Sequence, residues 1–117
     1  MRVIQGIKIP DWVQVPEGYV KLLRTGAREF SPYYIIVDPE FSASYNLHLA
    51  ERYPHLTLFM FAKRGDNDTI ATFSKDAPGK VILINDFSTK GYELDGEFES
   101  FWDWFDIMIK DFKELDI

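Results

Sequence analysis

With 117 residues, 46% of them apolar and 16% aromatic, the chain has the size of one folding domain. It carries enough apolar surface to offset its ordering entropy, which excludes an intrinsically disordered segment. There is no cysteine, so disulfide frameworks and thiolate chemistry are excluded. Net charge is −6 and unevenly spread: residues 1–85 carry ten Lys/Arg against nine Asp/Glu, or +1, and residues 86–117 carry three against ten, or −7. Such a charge repels phosphate backbones, and it suits either a basic protein partner steered by the field or a solvated face that only keeps the protein soluble.

The N-terminal stretch VIQGIKI alternates weakly and meets Pro10, which suits a short edge strand. Arg2 precedes no long apolar region, and no stretch approaches the roughly 18 apolar residues of a membrane span. The expectation is therefore a cytoplasmic protein without a membrane segment. Pro16-Glu17-Gly18 opens a short helix through Leu22 and Leu23 that Gly26 stops. Tyr33 to Val37, β-branched and aromatic, predicts a strand closed by Asp38-Pro39. Phe41, Tyr45 and Leu49 recur at i+4, predicting a helix from Pro39 to Arg52 that Pro54 ends.

Three strands follow: Leu56 to Ala62, Thr69 to Ser74 and Val81 to Ile84, separated by RGDND and KDAPG. The short gaps predict an antiparallel meander. Leu56 to Ala62 is apolar at both parities, as in a central strand covered on both faces. The last helix is the strongest pattern in the chain. Phe98, Phe101, Phe105, Met108, Phe112 and Leu115 fall at spacings of three and four, a core stripe that must dock on the sheet. Asp95, Glu97 and Glu99 are placed to meet the positive end of its dipole, and Lys110 and Lys113 the negative end. The fold class predicted is α+β: one domain over residues 1–117, with a central antiparallel sheet, flanking helices and a C-terminal helix packed on it.

The segment KRGDNDTIATF gathers polar groups between two strands. As an adhesion motif, Arg64-Gly65-Asp66 would need an extracellular setting, for which nothing in the sequence speaks. As a calcium loop it fails, because the twelfth position counted from Asp66 is Ala77 and not the Glu that an EF-hand requires. Gly, Asn and Asp at a strand-to-strand turn account for most of it. His48 and His55 lie seven apart with only Glu51 as a neighbouring acid, short of a zinc set. No nucleophile elbow, phosphate-cradling loop or metalloprotease helix is present. No catalytic residue, metal or cofactor is expected.

The succession LFMFAKRGDND-TIATF, GKVILINDFS and FESFWDWFDIMI resembles the SUKH superfamily, which unites fungal cell-wall-synthesis regulators and bacterial toxin-immunity proteins. Its marks here are the short helix ending at Gly26, the turn Gly65-Asp66, the strand end Asn85-Asp86, and a closing helix opened by Ser100-Phe101-Trp102-Asp103-Trp104-Phe105. The resemblance covers residues 56–110. It implies a non-enzymatic binding module, an immunity protein that neutralises a cognate toxin, often a nuclease, by direct contact. The alternative it leaves open is a scaffold or regulator of a cellular protein, as among the fungal members. The partner expected is a basic toxin domain, without direct nucleic-acid contact.

Projecting the last helix at about 100° per residue puts Trp104 at one margin of the stripe, and Ile107 outside it beside Asp103, Asp111 and Glu114. An apolar anchor inside a charged rim has the composition of a binding hot spot. Trp104, Ile107, Asp103, Asp111 and Glu114, with the acids Asp66, Asp68 and Asp86, are the candidate partner-binding residues. Coverage of Trp104 and Ile107 by another element of the chain, or by a second copy in a homodimer, is the competing expectation.

Overall fold

The computed structural model describes residues 1–89, 91 and 93–115. The predicted edge strand is in fact a hairpin, β1 (Arg2–Ile4) and β2 (Ile7–Ile9), turning at Gln5-Gly6. Next come α1 (Glu17–Thr25), the short β3 (Glu29–Phe30), β4 (Tyr33–Ile35), α2 (Pro39–Arg52), β5 (Leu58–Arg64), β6 (Thr69–Ser74), β7 (Ala77–Asn85), β8 (Leu94–Phe98) and α3 (Phe101–Lys113). The fold is α+β. Strands β3 to β8 form one antiparallel sheet in sequential order, so the expected β5-β6-β7 meander is its centre.

Local signals explain most boundaries. Gly26, at φ 72°, takes the left-handed conformation that closes α1, and its amide bonds the carbonyls of Leu22 and Leu23. Asp38 caps α2 by accepting from the amides of Glu40 and Phe41, with Pro39 in the first turn. Ser100 caps α3 through the amide of Asp103. Helix α3 thus starts later than the stripe suggested. Phe98 belongs to β8, and so do Asp95 and Glu97, which are strand residues and not the first turn of a helix.

Residues of alternate parity face opposite sides of the sheet. Phe59, Phe61, Ala71, Phe73 and Val81 meet α1, α3 and the β1-β2 hairpin in the larger core. Met60, Ile70, Ile82 and Ile84 meet Leu49 and Tyr53 in a smaller one under α2. A bulge between Met60 and Ala62 lets Phe61 and Ala62 share a face. Asn46 of α2 bonds both backbone groups of Met60 there, its Oδ1 accepting from the amide at 2.7 Å and its Nδ2 donating to the carbonyl at 3.3 Å. Phe41, expected in the α2 stripe, is 45% exposed.

The larger core is an aromatic cluster. Tyr19 lies 5.4 Å from Phe61 and 5.6 Å from Phe73, and Phe61 stacks on Phe73 at 4.3 Å. Gly18 lets α1 approach α3, since a Cβ there would sit 2.7 Å from the Phe101 ring. The α3 side chains that enter this cluster are Phe101, Trp104 and Met108, all fully or almost fully buried. Phe105 is half-buried, whereas Phe112 and Leu115 are 45% and 38% exposed. The physical reason is the sheet beneath them. By its last turns α3 has reached β3, only two residues long, where Phe30 meets Phe112 edge-on at 6.3 Å. Among the described residues, no helix is long and apolar enough to cross a membrane.

Candidate functional site

The connectivity of the meander brings several of the acids to one end of the sheet. Strand β5 ends there at Arg64, β6 begins at Thr69, β7 ends at Asn85 and β8 begins at Leu94. Arg64 grips Asp66 with two parallel hydrogen bonds, Nε to Oδ1 at 2.8 Å and Nη2 to Oδ2 at 2.7 Å. Its Nη1 lies 3.9 Å from an Asp111 oxygen, so the turn is tied to the end of α3. The Arg64 guanidinium also packs over the Tyr33 ring at 5.1 Å. The hydrogen bonds from Arg64 hold the Asp66 carboxyl below the usual carboxylate range. Asn67 Oδ1 accepts from the amide of Thr69 at 2.9 Å, the side-chain turn that Asx residues favour. The RGDND segment is therefore a braced turn.

Helix α3 presents Asp103, Ile107 and Asp111 in one row, each four residues from the next. Ile107 is 44% exposed, Asp103 is exposed and Asp111 is half-buried. Glu114 is exposed just beyond the helix, where its amide bonds the Lys110 carbonyl. Asp66 and Asp68 are exposed in the turn. Thus Asp66 and Asp111, 45 positions apart in the chain (111 minus 66), meet at one arginine.

Two predicted site residues lie elsewhere than on the surface. Trp104 is 1% exposed, with its ring edge-on to Phe61 at 5.1 Å and to Tyr33 at 5.6 Å. It is a core residue and offers nothing to a partner. The buried face of α3 is Phe101, Trp104 and Met108, so it is turned toward Trp104 from the projected stripe, whose Phe112 and Leu115 are exposed.

Asp86 is 1% exposed. Its carboxylate accepts from Arg52 at both oxygens, Nε to Oδ1 at 3.0 Å and Nη2 to Oδ2, and from the hydroxyls of Tyr45 and Tyr53, the latter at 3.0 Å. Burial opposes its ionisation, but the hydrogen bonds from Arg52, Tyr45 and Tyr53 together outweigh burial and hold its carboxyl below the usual range. The same site raises the Tyr45 hydroxyl, through burial first and the hydrogen bond to Asp86 second. Asp86 thus bolts β7 to α2. Sequence reasoning missed Tyr45, Arg52 and Tyr53 as its partners. One signal was there: Tyr45 and Arg52 are seven apart, on one face of a helix, and the acid stands where a neighbouring strand ends.

Beside this bolt lies a recess of about 500 Å³, walled by Arg52, His55, Phe87 and Glu93 among others. His55 Nε2 is 3.0 Å from Glu93 Oε1, and Glu93 Oε2 accepts from the amide of Gly91. Among the described residues, no group of three or more His, Asp or Glu is placed to hold a metal ion. Comparison of the chain with protein-family models, with curated proteins and with solved structures gives no match.

Proposed function

We propose that the chain is a non-catalytic protein-binding domain that neutralises a basic toxin domain by direct contact, as the SUKH resemblance of residues 56–110 implies. The observation that carries this reading is Ile107, an apolar side chain 44% exposed on α3 and flanked at i−4, i−1 and i+4 by Asp103, Asp106 and Asp111. Lys110 stands in the same neighbourhood, so the rim is mixed but acidic in sum. An aliphatic anchor gains affinity once water is excluded around it, and the acids speed encounter with a cationic partner. A nuclease carries such a cationic groove for its substrate's phosphates. Absence of cysteine fits the reducing cytoplasm in which such a partner would be met.

The test is growth rescue. The protein is co-expressed in a bacterial host with the toxin domain encoded beside its own gene, and the wild type is expected to restore growth. Ile107→Asp combined with Asp103→Lys is expected to abolish rescue while the protein stays folded by circular dichroism. Failure of the wild type to rescue, or full rescue by the double variant, overturns the reading.

A further inference from the structure

On the α2 side of the sheet the recess at Phe87 and a second one of about 310 Å³ adjoin across their shared walls, His55 and Glu93, and make a groove in two parts. The floor of the second is apolar, built by Leu56, Leu58, Ile82, Ile84 and Leu94. Strand β8 borders it and is the terminal strand of the sheet; among the described residues its outer edge pairs with no other strand. Such an edge offers a row of free amides and carbonyls.

Two large apolar side chains stand in the open along this groove, Phe87 at 65% and Leu94 at 68% exposure. Phe87 is held at φ 62°, a region that bulky residues seldom occupy. Its amide is fixed there by Asp86 Oδ1 at 3.0 Å and the Tyr53 hydroxyl at 3.1 Å, and its ring lies over the Arg52 guanidinium at 4.4 Å. Strain of this kind persists where the surroundings over-determine it, and it accumulates at binding sites.

The groove is acidic. Glu51, Asp76, Glu93 and Glu97 line it, while Arg52 is committed to Asp86 and His55 to Glu93. Lys80 reaches Glu97 at 3.8 Å and Glu99 at 3.5 Å, leaving Glu51 and Asp76 without a cation among the described ion pairs. A second copy of the chain is a poor occupant. Antiparallel pairing of β8 with itself about Glu97 would set Glu97 against its own copy and Asp95 against Glu99 just past the strand, and like charges across strands repel.

We propose that this groove docks an extended basic segment of a partner protein, which adds as a strand to the free edge of β8. Its apolar side chains enter beside Leu94, and its Lys or Arg side chains meet Glu97 and the acids around it. The site is separate from Ile107 on α3 and stands whether or not the toxin reading does.

The probe is the capped heptapeptide Lys-Ile-Lys-Ile-Lys-Ile-Lys, titrated into the ¹⁵N-labelled protein. Binding is expected to shift and slow the exchange of amides in residues 94–98, with Glu97→Lys and Leu94→Ala each weakening it by about tenfold. The same peptide with every second amide N-methylated keeps its charge but cannot pair, and is expected not to bind. Ile107→Asp is expected to leave peptide binding unchanged, so the two surfaces fail separately. Three outcomes overturn the proposal: equal binding of the N-methylated peptide or of a Glu-for-Lys version, protection confined to residues outside 94–98, or a dimer of the free protein that Leu94→Lys dissolves.

Discussion

Removing the carboxylate of Asp86 should destabilise the protein more than removing any other acid. Its side chain is wholly enclosed, and the Arg52 guanidinium left behind is only 26% exposed, so water can compensate it only in part. Breaking such a pair by deleting one partner costs about 3–5 kcal/mol, because the other charge is left uncompensated. Asp86→Ala is therefore expected to lose about that much in urea unfolding followed by tryptophan fluorescence, and to lower Tm by roughly 10–25 °C. Tyr45→Phe and Tyr53→Phe each remove one hydroxyl donor to a charge and should cost about 1.5–3 kcal/mol. Asp86→Leu with Arg52→Met removes both charges at once and should recover part of the loss.

The pH dependence has a definite sign. The folded-state carboxyl of Asp86 titrates below its ordinary value, so its contribution is fully present above the unfolded pKa of about 3.9. It fades as pH falls from about 5 toward the depressed folded value, as linkage requires. The stability gap between wild type and Asp86→Asn should thus be constant from pH 7 to about pH 5 and shrink below that. A loss under about 1 kcal/mol for Asp86→Ala, or a gap that stays flat down to pH 3, would refute the reasoning.

Two further expectations concern α3 and the turn. Trp104→Ala should cost about 3–5 kcal/mol by emptying the space between Tyr33 and Phe61, while Ile107→Asp should stay within about 1 kcal/mol of wild type; equal effects in urea unfolding would contradict the placement of the two. Calorimetric titration with Ca²⁺ and with Zn²⁺ should show no stoichiometric site tighter than about 10⁻⁴ M, because Asp66 is occupied by Arg64 and Asp68 lacks further oxygen ligands; a tighter site would make the turn a metal loop.

What the sequence determined by itself is local in origin. Helix α2 was legible from end to end because Asp38-Pro39 and the break at Pro54 are read within a few residues of the chain. Strand β6 and the stop of α1 at Gly26 were legible for the same reason. The meander followed from short gaps between apolar runs, and the apolar period of α3 required a sheet beneath it. Strand β8 was not legible: LDGEF is short, acidic and interrupted by glycine, and it is a strand because the edge of β7 was available to pair with it. Which side of α3 would be covered was also undecidable from its period. Trp104 and Ile107 lie on the same side of the stripe, Ile107 about 60° further round, and packing on the sheet reached far enough to bury the one and left the other in water. The roles of the acids were decided in the same way. Asp66 and Asp86 each end an apolar strand in the sequence, yet one is an exposed brace and the other a buried bolt. The difference lies in where α2 set Tyr45, Arg52 and Tyr53, a fact of tertiary packing that no window of the chain contains.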